Sequence, residues 1–265
     1  MSQALVDYQV TNHIATITMN DPKTLNAFST PLKGAIMEAL NKADQDNEVR
    51  VIVLQGGGNN FSSGGHIGEM LENGMESEAL VAKLDFMLRE VAEVSLKLRN
   101  IHKPIIAKLE GAVAGAGMNL ALTCDFRIAA DNAKFVQAFV NIGLIPDAGG
   151  IYLLNQLVGA AKTTELVMLG DKLKADDVAR LDLVNKVVSA EELDNEVNVL
   201  ATRLSQLPGK ALASMKHMLN IHAFSGLNEA LGMEVEQQNI MAQTDDFKEG
   251  ITAFMEKRKP VYQGK

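Results

Sequence analysis

Two glycine-rich turns are the places where this chain could do chemistry. The first turn runs from Gly56 through Asn59, Phe61, Ser62, Ser63, Gly64 and Gly65 to His66, directly after the apolar run at 49–54. The second, from Gly111 to Gly117, follows the apolar run at 105–109. Each lies between a strand pattern and a helix pattern. Helix starts expose N–H groups with no intrahelical acceptor, at the positive end of the peptide dipole. Two such groups converging on one point can hold a developing oxyanion. The plainer alternative is that these glycines only permit tight turns. Neither turn is a nucleotide loop, since there is no GK[ST] and residues 115–118 lack the GxGxxG spacing. Asp147, in Ile145-Pro146-Asp147-Ala148-Gly149-Gly150, reads locally as an Asx turn or a helix cap.

The elements that must position these groups are legible in the periodicity. IATITM at 14–19 alternates and reads as a half-buried strand, and a helix follows from about Pro31 to Ala43. VRVIVL at 49–54 is nearly continuous and β-branched, the pattern of a strand covered on both faces. A helix over 77–100, a strand at 105–109, a helix into Cys124 and a strand at 125–130 come next. Residues 135–150 are too irregular for one element. A helix then begins near Gly150 and is expected to close at Gly159.

The remainder reads as helical. Ser189 to Glu192 has the capping-box pattern and is expected to open a helix to about Leu207, with a solvated charged face. Further helices are expected at 209–223, 226–242 and 246–258. Met218, Met233, Met241 and Met255 on these helices suggest core or oligomer packing. Repeated strand–turn–helix units predict α/β topology with exposed βα turns.

Composition removes several function classes. A formal net charge of −8 argues against a general nucleic-acid surface, while leaving room for an anionic small ligand held by local donors. Cys124 is the single cysteine, so no intrachain disulfide or cysteine metal cluster is possible. Cys124 itself has no evident basic partner and reads as packing. The five histidines, including His13, His102, His217 and His222, form no HExxH pair, and no metal site is expected. No stretch has membrane-span length, and the start MSQALVDYQV has no secretory pattern. A cytoplasmic location is the expectation.

FSSGGHIGEM at 61–70, GAVAGAGMNLALTCDFRIAADNAKF at 111–135, IGLIPDAGG at 142–150, DFKEGITAFMEKRKP at 246–260 and TLNAF at 24–28 resemble, in order, the signatures of the crotonase (enoyl-CoA hydratase/isomerase) family. The resemblance covers roughly residues 5–260. It implies a crotonase (ClpP/crotonase-like) α/β fold of repeated ββα units, with a core over 1–200 and a helical C-terminal trimerisation region over 201–265. It implies an acyl-CoA substrate of which coenzyme A is a part, no redox or metal cofactor, and a homotrimer or homohexamer. The oxyanion N–H groups would be those of Gly65 and Ala116. Lys23, Asn26, Ala27, Ser63, Gly65, His66 and Lys257 fall where the family borders CoA. His66 takes the place of the usual Asp, and a local structural role is expected for it. Residues 71–100 are expected to shape the acyl pocket.

This chain departs from the hydratase pattern at two positions. Typical hydratases resemble it but carry two glutamates to activate water and deliver a proton. Here those positions are Asn119 and Phe139. Neither can act as a carboxylate base, and Phe139 should make the pocket drier. Asp147 stands where several isomerases carry a catalytic aspartate, and FVNIGLIPDAGG is similar to the ring-1,2-epoxyphenylacetyl-CoA isomerase branch. An apolar surrounding should raise the pKa of Asp147 toward a useful range. Isomerisation of an acyl-CoA, by a double-bond shift or a ring-epoxide rearrangement, is therefore the expected activity. Enoyl-CoA hydration and a non-catalytic acyl-CoA binder or scaffold are the alternatives.

Overall fold

A computed structural model describes residues 4–72, 74–75 and 77–265. The first three residues of the N-terminal stretch read above, and positions 73 and 76 of the 71–100 stretch, lie outside the described residues. The chain begins with β1 (Val6–Thr11) and β2 (Ile14–Met19), paired antiparallel. Asn12 and His13 take φ of 51° and 66° between them, as a two-residue hairpin turn requires. Helix α1 (Thr30–Gln45) is capped by Ser29, whose side chain accepts from the Leu32 N–H, with Pro31 in its first turn. Strand β3 (Val51–Gly56) leads into the first glycine-rich turn, then α2 (Ile67–Met70) and the long α3 (Ser77–Asn100). Strands β4 (Ile105–Leu109) and β5 (Ala112–Ala114) precede the short buried helix α4 (Ala116–Thr123). Strands β6 (Phe126–Ala130) and β7 (Lys134–Val136) follow. After an irregular stretch come α5 (Gly150–Leu169), β8 (Lys172–Lys174), α6 (Ala175–Arg180) and β9 (Lys186–Val188). The chain ends in α7 (Leu193–Ser205), α8 (Gly209–Ala223), α9 (Leu227–Met241) and α10 (Asp245–Glu256).

Six strands form one sheet in the order β1-β2-β3-β4-β6-β9, parallel except for β1, and β5-β7-β8 form a smaller one. The continuous apolar run of β3 is explained by its two covered faces. Val51 and Val53 pack with Leu193, Val197, Ala201 and Leu204 of α7. Ile52 and Leu54 face the main core with Leu32, Ile36 and Leu40 of α1 and Val94 and Leu98 of α3. Burial on both faces removes any need for polar alternation. A third apolar cluster joins Leu80, Leu84, Met87 and Leu88 of α3 to Val235 of α9 and Phe247 and Ile251 of α10. The last helices thus pack onto the chain's own α3. Among the described residues no helix is long and apolar enough to cross a membrane.

Two local expectations are corrected. The helix expected to close at Gly159 kinks there, at φ 74° and ψ 168°, and resumes as far as Leu169 because Thr163 and Leu166 still have core to bury. The box at Ser189 does not cap α7. The Ser189 backbone carbonyl accepts from the Glu192 N–H at 3.0 Å, and the helix starts at Leu193, which turns onto the sheet. Met218, Met233 and Met255 are about half exposed on this chain, whereas Met241 packs against the α3–α10 cluster.

Candidate active site

The two glycine-rich turns meet because Gly64 allows it. Its φ is 96°, and a Cβ there would lie 2.8 Å from the Ala114 carbonyl oxygen and 3.4 Å from the Ala116 nitrogen. No other residue type could hold that backbone at that approach. The Ser62 N–H donates to the Ala112 carbonyl at 2.9 Å, the Ala114 N–H to the Ser62 carbonyl at 3.0 Å, and the Phe28 N–H to the Gly64 carbonyl at 2.7 Å. Three segments distant in sequence are thereby fixed to one another. Ala116 is the first residue of α4, so its N–H is one of the donors that helix geometry leaves unpaired. Among the described residues, neither it nor the Gly65 N–H has an acceptor.

Gly65, Ala116 and Asp147 line one narrow cavity of about 30 Å³. Phe28, Met70, Met87, Leu88 and Val91 give it apolar walls, and Lys33 also borders it. An open groove of about 330 Å³ between α5 and α9 is far larger, but none of Gly65, Ala116 and Asp147 lines it. Chemistry, not volume, singles out the small cavity.

Asp147 keeps some exposure as a residue, yet its Oδ1 is buried without a hydrogen-bond partner. Burial pushes its carboxyl up to about 7, against the opposing charge of Lys33. The side chain is not spent on a helix cap. Gly149 caps α5, and its N–H donates to Glu234 Oε2 at 2.8 Å instead. Several groups hold the Asp147 backbone in place. Asn119 Nδ2 donates to the Asp147 carbonyl at 2.8 Å, and Gln137 in turn donates to Asn119 Oδ1 at 2.7 Å. Ser95 donates to the Ala148 carbonyl at 3.2 Å. Gln238 donates to the Ile145 carbonyl at 2.6 Å and accepts from the Ile145 N–H at 3.1 Å. Asn119 therefore works as a brace under the loop that presents the carboxylate. Phe139 is buried, and its ring would lie 3.5 Å from a Cβ placed on Gly115, backing the second turn with apolar surface.

Of the residues expected beside CoA, Gly65 lines this cavity, and Lys23, Asn26, Ala27, Ser63, His66 and Lys257 are not part of its lining. Asn26 is fully buried, with φ 57°. Its side chain donates to the carbonyls of Gly57 (3.0 Å) and Asn60 (2.8 Å) and accepts from the Asp21 N–H (2.9 Å). Ala27 is buried and donates to Thr24 Oγ1 at 3.2 Å, and the Ser63 hydroxyl donates to the Thr24 carbonyl at 2.8 Å. Asn26 and Ser63 lock the loop to the first turn, and Ala27 closes it on itself. Lys23 is exposed in a short 3-10 turn, Pro22–Thr24. His66 Nδ1 accepts from the Glu69 N–H at 2.9 Å and caps α2, which puts the ring proton on Nε2. Lys257 ends α10 with φ 56° and is exposed, while the neighbouring Arg258 is paired with Glu249 and Glu256.

Lys33, Glu234 and Gln238 bear on the site and are absent from the motif reading. Each carried a signal. Lys33 falls on the apolar stripe of α1 with Leu32, Ile36 and Leu40, and Glu234 and Gln238 fall on that of α9 with Leu227, Leu231 and Val235. A charged or amide side chain on a buried stripe must find a partner inside the protein.

The sequence model of the enoyl-CoA hydratase/isomerase family matches residues 9–265. The chain is 37% identical to trans-2-decenoyl-[acyl-carrier-protein] isomerase of Streptococcus mutans, over 97% of each chain. It is 32% identical to 1,2-epoxyphenylacetyl-CoA isomerase of Escherichia coli, over 95% of each. The crystal structure of an enoyl-CoA hydratase from Mycobacterium avium subsp. paratuberculosis superposes with a TM-score of 0.85 at 30% identity, covering 98% of this chain and 99% of that one. The chain belongs to the enoyl-CoA hydratase/isomerase family and is an enzyme of the crotonase fold.

Proposed function

We propose that this enzyme isomerises an acyl thioester by moving a double bond, with Asp147 as the single proton carrier. The observation that carries the reading is the shared cavity of Asp147, Gly65 and Ala116, in which one carboxylate oxygen is buried and unpartnered. The thioester carbonyl oxygen would sit between the Gly65 and Ala116 N–H groups. Asp147 takes a proton from C2 of a 3-enoyl thioester, the electrons move into a dienolate, and the two N–H groups hold its oxygen. The protonated Asp147 then returns the proton at C4, leaving the 2-enoyl thioester and a regenerated carboxylate. A carboxyl brought to about 7 by burial is suited to both halves of this exchange.

Asn119 and Phe139 occupy the positions at which a hydratase would need carboxylates, and both are committed to packing and bracing. That supports proton transfer within the acyl chain over addition of water. The Streptococcus relative is named for an acyl carrier protein and the Escherichia coli relative for a CoA ester. The common requirement is a thioester whose enolate can be held, and CoA is the carrier proposed here.

The test is mass-resolved turnover of trans-3-hexenoyl-CoA in deuterated water, beside trans-2-hexenoyl-CoA. The expected result is 2-enoyl product without gain of water, abolished in Asp147→Asn. Rapid 3-hydroxyacyl-CoA formation from the 2-enoyl substrate, insensitive to that substitution, would overturn the reading.

A further inference from the structure

Lys33 is an ammonium group on the buried stripe of α1, 3% exposed, at the wall of the cavity that holds Asp147. A charge in such a place is costly unless paired. Its Nζ donates to the Met87 carbonyl at 3.0 Å and pairs with Glu90 Oε2 at 3.0 Å. An ammonium has three N–H donors. Among the described residues the third has no acceptor, and the group borders the cavity. Glu90 is itself fixed, accepting from the Thr30 hydroxyl at 2.8 Å. The ion pair is therefore held between α1 and α3, with its cationic end at the reacting centre.

We propose that Lys33 is a positioning residue that holds a positive charge at the wall of the Asp147 cavity, so that a carboxylate base can work in apolar surroundings. The proposal rests on Asp147 being the proton carrier. The charged groups around the two side chains come from four elements. Glu90 on α3 pairs with Lys33, and Glu69 on α2 is near it but is tied to Lys83 at 2.9 Å and to the Thr30 N–H at 2.7 Å. Glu234 on α9 approaches Asp147 from behind the turn. Glu234, when ionised, disfavours ionisation of Asp147 as a like charge. Lys33 on α1 acts in the opposite direction, its positive charge favouring the ionised Asp147. Burial holds the Lys33 ammonium below its ordinary pKa, and Glu90 acts in the opposite direction, so the pair keeps the lysine charged where it faces the site.

The test is a titration of the Asp147 carboxyl by 13C NMR in the free enzyme, assigned through Asp147→Asn. It is set beside the pH profile of kcat/KM on trans-3-hexenoyl-CoA. Lys33→Gln keeps a donor for Met87 and removes the charge. It is expected to raise the Asp147 midpoint by about one pH unit or more, the scale of a nearby opposite charge. Its loss of kcat/KM should be about tenfold or greater at pH 6 and shrink toward pH 9. Lys33→Arg keeps the charge and is expected to hold the midpoint near that of the wild type. Should Lys33→Gln fail to fold, the reciprocal measurement serves: in Asp147→Asn the Lys33 15Nζ midpoint is expected to fall. An unmoved Asp147 midpoint in Lys33→Gln, an equal shift in Lys33→Arg, or an unmoved Lys33 midpoint in Asp147→Asn would overturn the proposal. A wild-type enzyme without isomerase activity would instead overturn the isomerase reading, while the NMR titrations still report on Lys33.

Discussion

Glu234 Oε2 accepts a hydrogen bond from the Gly149 N–H at 2.8 Å, so a helix near the end of the chain holds the turn that presents Asp147. Ala148 and Gly149 both take positive φ, 54° and 86°, and a turn of that shape must be held from outside. Glu234→Ala is expected to lower kcat by about 10- to 100-fold through misplacement of Asp147 by a fraction of an ångström to an ångström. Glu234→Gln retains an acceptor oxygen and is expected to stay within a few-fold of the wild type. Steady-state kinetics on the 3-enoyl substrate checks both, and equal losses in the two variants would count against the bracing role.

The same carboxylate has a pH signature in stability. Burial raises the Glu234 carboxyl from 4.5 to about 8. Between those values the folded protein retains a proton that the unfolded chain releases, so stability falls as pH rises through the window. Asp147, raised from 3.8 to about 7, acts in the same direction over the lower part. The melting temperature is expected to drop between pH 5 and pH 9, with a shallower slope in Glu234→Gln. A wild-type slope equal to that of the variant would show that Glu234 does not titrate in this range.

Catalysis should show the opposite pH trend. A base that ionises near 7 gives a kcat/KM that climbs through that pH and levels above it. Asp147→Asn removes the limb along with the activity, while trans-2-hexenoyl-CoA should still bind, measurable by calorimetry.

The oxyanion geometry depends on Gly64. Gly64→Ala places a methyl 2.8 Å from the Ala114 carbonyl oxygen at a φ of 96°, so the two turns must separate. A loss in kcat of at least about 100-fold is expected, the scale of losing one oxyanion donor. Gly65→Ala meets no atom within 4 Å and should be far milder.

Asn26 separates a structural role from a binding one. Asn26→Ala leaves two carbonyls and one N–H without their partner in a buried loop, at a positive φ. A loss of about 2–4 kcal/mol is expected from denaturant unfolding. If Asn26 served CoA through its side chain, the dominant effect would instead be on KM at unchanged stability.

The order of the elements was legible because each long segment has one clear period. The helices at 77–100 and 209–223 and the strands at 14–19 and 105–109 fall where the apolar spacing places them. β5, β7 and β8 were not legible, since three residues are too few to display an alternation. β1 was hidden by its edge position, where four of its six residues are exposed and none is fully buried.

Residue types and motif order determined the family, the two donor turns and the candidate carboxylate. Those features are local: a turn needs its glycines, and a proton carrier needs a titratable side chain. Tertiary structure decided which groups meet. The partnering of Lys33 with Glu90, of Asn119 with the Asp147 carbonyl, and of Glu234 with Gly149 joins residues separated by 57, 28 and 85 positions. Burial, which raises the Asp147 carboxyl, likewise belongs to the packed protein, because desolvation is a property of the surroundings and not of the residue.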